Sequence, residues 1–193
     1  MAEAAPSRRW TVAEYLAREQ AADEKHMLWD GELFAMAGGS RVHNRLVAAI
    51  LGELRPQLLG RGCAAYASDQ RIAMADRPRY VYPDATIVCA PVETAADDAE
   101  SITNPRVVFE VLSDSTEAFD RGDKFVGYRE IAALTDYVLV SQRAARIEHF
   151  ARQADGSWLL RTYEAGSTVV LGSVGISLSV DALYTDVFDV AAG

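Results

Sequence analysis

The fold is decided by VYPDATIVC at residues 81–89, NPRVVFEVLS at residues 104–113 and DRGDKFVGYREI at residues 120–131. The first two segments are typical of buried strands, and each carries one carboxylate, Asp84 or Glu110, among apolar residues. Burying a carboxylate without a partner costs several kcal/mol. The third segment is predicted to be helical and adds Lys124. Two acids and a lysine brought together at one sheet indicate a site for a divalent cation.

The first sixty residues predict two helices and a hairpin. Thr11 and Glu14 form a capping-box pattern, so a short helix is expected to run to about residue 20. Asp30-Gly31 is a hairpin dipeptide within residues 26–37. Ser40 is placed to cap a long helix over residues 41–59, whose apolar residues recur at three- and four-residue steps.

The rest of the chain is predicted to be rich in strands. Strands are expected at residues 63–74, 81–89, 107–112, 137–141, 146–152, 158–163 and 169–171, with helices at 117–131 and 181–184. Residues 91–104 are polar and acidic without periodicity, which favours a surface loop. We therefore expect an α/β fold of mixed α+β character, a mixed sheet flanked by helices, in one domain over residues 1–193 with residues 1–10 flexible.

The charge of the chain limits its partners. A net charge of −9 and a pI near 4.8 argue against a general nucleic-acid coating protein, which needs a broad basic face. One local basic patch stays compatible with these numbers. Arginines cluster before the first acidic strand and in the long helix, although a solvated surface is the commoner meaning of such residues: Arg41, Arg45, Arg55, Arg71, Arg77 and Arg79.

Composition also predicts the compartment. No apolar run is long enough for a membrane span, and the N-terminal MAEAAPSRRW lacks the apolar segment of a secretory signal. Cys63 and Cys89 form no CxxC pattern, so we expect free buried thiols. Together these features predict a cytoplasmic protein that does not contact a membrane.

The spacing of the acids suggests the chemistry. If their strands are neighbours, Asp84 and Glu110 can share Mg²⁺, with Mn²⁺ as the alternative ion and the Val111 carbonyl as a further ligand. Such an ion lowers the pKa of a bound water and offsets charge on a phosphoryl group. Lys124 would place a compact positive charge near the scissile phosphate.

Other interpretations of the same residues stay open. Asp120 and Lys124 have the i, i+4 spacing of an ordinary helix ion pair, and the Lys124 stem can cover the core. Asp84 can lie at an exposed strand end, and Glu110 can pair with an arginine such as Arg71. His43, at a helix start, is more often a capping or packing residue than a ligand.

The motifs YPDATIVC, VVFEVLSDSTEAFDRGDKFVGYREI and LTDYVLV resemble the Uma-type family of bacterial endonucleases, within the PD-(D/E)XK nuclease superfamily. The resemblance extends to DGEL, SRVHNRL and RIEHFARQADGSW, and so covers nearly the whole chain. It implies a restriction-endonuclease-like fold and metal-dependent phosphodiester cleavage. Pro83-Asp84 matches the first half of the motif, Glu110 matches the second acid, and Lys124 is the family's displaced lysine. His43 and Asp120 match recurring positions with supporting roles.

This chain departs from the pattern at two positions. The superfamily places its lysine two residues after the second acid, where this chain has Leu112. The family's usual turn LSPST is LSDST here, so Asp114 adds a negative charge beside the predicted site.

Three functions follow from these observations. The first is a Mg²⁺-dependent endonuclease acting on DNA as a homodimer, because cutting a duplex requires two active sites. The alternative is a catalytically weak interaction or dimerisation module that keeps the nuclease fold, which the acidic charge favours. The third is a metal-dependent hydrolase of a small phosphate ester, which requires a deep closed pocket.

Overall fold

The computed structural model describes residues 8–74 and 77–188 and has the mixed α+β architecture expected from the sequence. Two six-stranded sheets and a two-stranded hairpin are flanked by a few helices. The helices are α1 (Val12–Ala21), α2 (Arg41–Leu58), α3 (Glu117–Phe119), α4 (Phe125–Glu130) and α5 (Val180–Tyr184). Within residues 8–74 and 77–188, no helix combines the length and apolarity needed to cross a bilayer.

The central sheet carries both predicted acids. Its strands are β3 (Cys63–Ala67), β6 (Ala85–Cys89), β9 (Pro105–Leu112), β10 (Asp136–Ser141), β11 (Arg146–Arg152) and β12 (Trp158–Glu164), in the order β12-β11-β10-β9-β6-β3. Only β9 and β10 pair in parallel, so the sheet is mixed, as predicted. β9 pairs on both edges, with β10 and β6, and its residues are buried on both faces of the sheet.

The second sheet contains the Asp30-Gly31 hairpin. Its strands are β1 (His26–Trp29), β2 (Glu32–Ala35), β4 (Ile72–Met74), β5 (Arg79–Val81), β7 (Thr94–Ala95) and β8 (Asp98–Ile102), in the order β2-β1-β5-β4-β8-β7. A further hairpin joins β13 (Thr168–Leu171) to β14 (Ile176–Ser179). β14 was not predicted from the sequence.

Two predictions about this region were wrong. Residues 63–74 form two strands in different sheets, separated by a turn in which the Gln70 amide donates to the Ala67 carbonyl. Residues 91–104 contain the hairpin of β7 and β8 rather than a loop. The polar groups of β8 are satisfied from outside the segment, because Arg71 binds both Asp98 and Ser101.

The alternation predicted for β9 is confirmed. Val107, Phe109 and Val111 face one core, which also contains the buried stripe of α2. Val108 and Leu112 face a second core with the residues of α4. Glu110 therefore points to the second face, and the central sheet separates α2 from α4.

The first two helices begin as predicted. The Thr11 hydroxyl and the Glu14 carboxylate form a complete capping box at α1. The Ser40 hydroxyl accepts from the His43 amide and caps α2. Residues 1–7 lie outside the described residues, whereas Trp10, expected in a flexible segment, donates its amide to the Gly31 carbonyl.

The helix predicted over residues 117–131 is broken in the middle. A π-helical turn at Asp120–Lys124 separates α3 from α4, and Gly122 has φ −104° and ψ −105°, outside the helical range. The Tyr137 hydroxyl donates to the Asp120 carbonyl at this turn. The break leaves both Asp120 and Lys124 buried against the sheet.

The prediction of free thiols was also wrong. Cys63 and Cys89 are joined by a disulfide, because they lie directly opposite each other on the paired strands β3 and β6. A disulfide is typical of oxidising compartments. The prediction of a cytoplasmic location therefore loses the support that it took from the cysteines.

Candidate functional site

The structure brings Asp84 and Glu110 to one rim of the central sheet. Ala85 pairs with Phe109 in the antiparallel ladder of β6 and β9. Asp84 comes one residue before this pair and Glu110 one residue after it, so the two acids are opposite each other on the same face. The strands are neighbours, as the shared-ion hypothesis requires.

Asp84 is fixed through both of its carboxylate oxygens. Oδ2 accepts a hydrogen bond from the Val111 amide at 2.7 Å, and Oδ1 lies 2.9 Å from His43 Nε2. The side chains of Asp84 and His43 are 16% and 17% exposed, so solvent reaches this pair. The bond to Asp84 raises the pKa of His43 above its ordinary value, although burial opposes this. A hydrogen bond to the Val111 backbone also raises the pKa of His43.

Glu110 lies deeper, under α4. Its Oε1 lies 2.8 Å from Lys124 Nζ and accepts a hydrogen bond from the Tyr128 hydroxyl at 3.1 Å. Within residues 8–74 and 77–188, no group donates a hydrogen bond to Oε2. Burial is the main cause that raises the pKa of Glu110 to about 8; the charges of Asp120 and Asp84 contribute in the same direction, and Lys124 opposes them.

Lys124 contacts two carboxylates, those of Glu110 and Asp120. Nζ also lies 3.1 Å from Asp120 Oδ1, so the i, i+4 ion pair considered in the sequence is present as well. Burial alone would lower the pKa of Lys124, but the charges of Glu110 and Asp120 raise it above its ordinary value. The proposed pairing of Glu110 with Arg71 is absent, since Arg71 binds Asp98.

Three carboxylates of this cluster lie around one ammonium group. Asp84, Glu110 and Asp120 all act on Lys124, and the His43 imidazole is the basic partner of Asp84. A divalent cation bound here would favour the ionised form of Glu110. The described residues include no cluster of three or more acidic, histidine or cysteine side chains arranged as a metal site. Mg²⁺ requires only one or two carboxylates when water and substrate complete its shell, so these residues fit it.

Asp114 does not add a bare charge beside the site. It is exposed and forms an ion pair with Arg143, in the turn after β10. Beside them is a pocket of about 230 Å³ lined by residues of both charge signs, including Arg121 and Glu148. This pocket is small and polar, and nothing in it matches the deep closed pocket that a small phosphate ester requires.

Two residues near the site were missed in the sequence. The Gln142 side chain bonds the Leu112 carbonyl and the Ser40 hydroxyl, which ties β9 to the start of α2. Tyr128 lies in the segment predicted to be helical, but the bond from its hydroxyl to Glu110 was not predicted. Gln142 lies in a turn without a motif, so no sequence signal identified it.

Two relatives cover most of the chain. Both are Synechocystis sp. proteins described as uncharacterized, and each is 37% identical to it. One alignment spans 180 residues, which is 93% of this chain and 94% of the relative. The other spans 150 residues, which is 78% of this chain and 85% of the relative.

A solved structure has the same fold. It is a "putative nuclease belonging to DUF820" from Anabaena variabilis, and the two superpose with a TM-score of 0.72 at 13% identity, over 92% of this chain and 99% of that one. At this identity the likeness establishes the fold alone. A family model, Uma2, described as "Putative restriction endonuclease", matches residues 12–182. The chain therefore belongs to the Uma2 family, as the YPDATIVC and VVFEVLS motifs had indicated.

Proposed function

We propose that this protein is a Mg²⁺-dependent endonuclease that hydrolyses phosphodiester bonds of DNA, with Mn²⁺ as the alternative ion. The observation that carries the proposal is the pairing of Asp84 with Glu110 across β6 and β9, with Lys124 on Glu110. Asp84, Glu110 Oε2 and the Val111 carbonyl would hold the ion. The three carboxylates gathered at this rim support a divalent cation there.

Each side chain of the site has a distinct part in this proposal. A bound Mg²⁺ would lower the pKa of a water molecule and offset the charge that builds on the phosphoryl group. His43 keeps Asp84 oriented through its bond to Oδ1. Lys124 is held by Glu110 and Asp120, so its positive charge is fixed beside Glu110, where it would stabilise a nearby phosphate oxygen. Asp120 supports Lys124, and Tyr128 holds Glu110 through Oε1.

The surface of α2 supports a nucleic acid as the substrate. Arg41 and Arg45 lie on the side of the helix away from its buried stripe, next to His43 in the sequence. Neither makes an ion pair with an acidic residue of the described chain. Their guanidinium groups are therefore available to phosphates in a chain that is otherwise strongly acidic.

A homodimer belongs to the same proposal, because two strands must be cut. Strand β3 lies at the edge of the central sheet, beside an apolar groove of about 350 Å³ that includes the exposed Leu59 and Val92. An edge strand next to apolar surface favours pairing with another chain. The same feature favours the alternative, a catalytically weak dimerisation module.

The test is calorimetric titration of Mg²⁺ and Mn²⁺ into the wild type, Asp84→Ala and Asp69→Ala. Asp69 is the control, because it is an exposed turn residue paired with Lys25. We expect binding at millimolar or lower concentration in the wild type and Asp69→Ala, and none in Asp84→Ala. Cleavage of duplex DNA should follow the same order and stop when EDTA is added.

The opposite results are equally informative. A wild type that binds neither ion removes the mechanism, and a stable dimer in sedimentation would then favour the interaction module. Metal binding without cleavage of DNA or RNA would retain the metal site but reject the nuclease activity.

A further inference from the structure

Gln142 connects two elements that carry the candidate site. It lies in the turn between β10 and β11. Its Nε2 donates to the Leu112 carbonyl at 2.9 Å, and its Oε1 accepts from the Ser40 hydroxyl at 2.6 Å. Leu112 ends β9 and Ser40 caps α2, so one amide group joins a strand end to a helix start.

These bonds belong to a closed circuit. The Ser40 hydroxyl accepts from the His43 amide at 3.0 Å, and the His43 ring bonds Asp84. Asp84 in turn accepts from the Val111 amide, and Val111 is covalently linked to Leu112, where the circuit closes. A closed circuit fixes the distance between α2 and β9 more firmly than any one of its bonds.

The circuit is supported at two further points. The Tyr184 hydroxyl lies 2.7 Å from the Ser141 carbonyl and 2.9 Å from the Arg146 carbonyl and shares its one proton between them, which links both ends of the turn that carries Gln142. Gly39 leaves room for the His43 ring, since a Cβ at position 39 would lie 2.4 Å from its Cδ2. Tyr184 thus supports the Gln142 end of the circuit, and Gly39 accommodates the His43 ring at the other end.

We propose that Gln142 is a positioning residue of the metal site. It holds the end of β9, with Glu110 and the Val111 carbonyl, at a fixed distance from His43 and Asp84. Gln142 contacts none of the three proposed ligand oxygens itself, and it acts through Ser40 and Leu112. The proposal rests on the proposed function, because only a bound ion requires this distance to be kept.

The test compares Gln142→Leu with Gln57→Leu. Gln57 is the control, because its amide also joins two elements: it donates to the carbonyls of Ser177 and Glu53 and accepts from the Ser177 amide. It lies on α2 about 20 Å along the helix axis from His43. We expect both variants to lower the melting temperature by similar amounts. Only Gln142→Leu should weaken Mn²⁺ binding, by about tenfold.

Magnetic resonance of the His43 imidazole provides a readout that does not require metal. Gln142→Leu should shift its nitrogen and proton resonances in the metal-free protein, and Gln57→Leu should leave them unchanged. Unchanged His43 resonances and unchanged Mn²⁺ affinity in Gln142→Leu would overturn the proposal. If the wild type binds no Mn²⁺, the proposed function fails, while the resonances still report whether Gln142 sets the position of His43.

Two more variants cover the case in which Gln142→Leu does not fold. Gln142→Glu keeps the acceptor for Ser40 and loses the donor to Leu112, so it should reproduce the His43 shift. Ser40→Thr keeps the hydroxyl and should behave as the wild type, whereas Ser40→Ala should behave as Gln142→Leu. Equal effects of Ser40→Thr and Ser40→Ala would contradict the circuit.

Discussion

Two histidine–aspartate pairs, one at the rim of the central sheet and one within it, have similar bonds and different surroundings. His43 Nε2 lies 2.9 Å from Asp84, and His149 Nε2 lies 2.7 Å from Asp136. The first pair is partly open to solvent, whereas the side chains of the second are 3% and 5% exposed. The bond alone therefore does not distinguish a reactive site from a structural one.

The neighbours of each pair make the distinction. Asp136 Oδ2 accepts from the hydroxyls of Thr135 and Ser173, so the Asp136 carboxylate of the sealed pair is bonded by neutral donors as well as by His149, whose Nδ1 has no partner among the described residues. Asp84 faces Glu110, whose pKa is raised partly by the charge of Asp84. The described partners of Asp136 are His149 and two hydroxyls, whereas Asp84 belongs to a group of three carboxylates around Lys124. That group of carboxylates is the feature that points to a cation.

The largest effect on stability should come from Lys124→Met, which removes the ammonium group that contacts Glu110 and Asp120. Glu110 and Asp120 would remain buried without a cation, so we expect the free energy of unfolding to fall by about 3–5 kcal/mol. Urea unfolding measures this loss. Added Mn²⁺ should recover part of it, because an ion that binds only the folded state stabilises that state.

The other lysine of the chain is the control for this change. Lys25 pairs with the exposed Asp69, so Lys25→Met should cost less than about 1 kcal/mol. Equal losses in the two variants would mean that the Lys124 cluster is no more than an ordinary surface ion pair.

A smaller effect is expected from Asp136→Asn in the sealed pair. Burial favours a higher pKa for Asp136, but hydrogen bonds from His149, Ser173 and Thr135 outweigh it and lower the pKa below the ordinary value. The resulting stabilisation is present above about pH 4, the unfolded value, and is lost as the pH falls through the lower folded value. The variant should lose about 2 kcal/mol at neutral pH.

Unfolding curves at neutral and acidic pH check this result. The stability difference between the wild type and Asp136→Asn should shrink as the pH falls below about 4. Mn²⁺ binding should stay the same in both proteins. A weaker affinity for Mn²⁺ in Asp136→Asn would show that the two pairs are coupled across the sheet.

Local patterns in the sequence predicted the parts of the site that depend on single strands and helices. Alternation along residues 107–112 placed Glu110 on its correct face, and the Ser40 cap was recognised from its position before the helix. Contacts between residues that only the tertiary structure brings together could not be predicted from local patterns. The bond between Cys63 and Cys89 requires β3 to pair with β6, and the strand at 98–102 depends on Arg71.

The smallest change in stability should come from His43→Gln. A glutamine amide can still donate to Asp84, and solvent reaches this position, so the loss should stay below about 1 kcal/mol. Mn²⁺ affinity should nevertheless fall by about tenfold, because the group that orients a metal ligand is altered. Calorimetry and urea unfolding on the same samples separate the two effects.

His149→Gln supplies the matched change in the sealed pair. His149 is buried, so a glutamine there has no solvent to compensate for a misplaced donor to Asp136 or for lost packing, and stability should fall more than in His43→Gln. Mn²⁺ affinity should stay the same. His43→Gln should therefore mainly lower metal affinity, and His149→Gln should mainly lower stability. If both lowered stability alike and neither altered Mn²⁺ affinity, the His43–Asp84 pair would be a second structural pair.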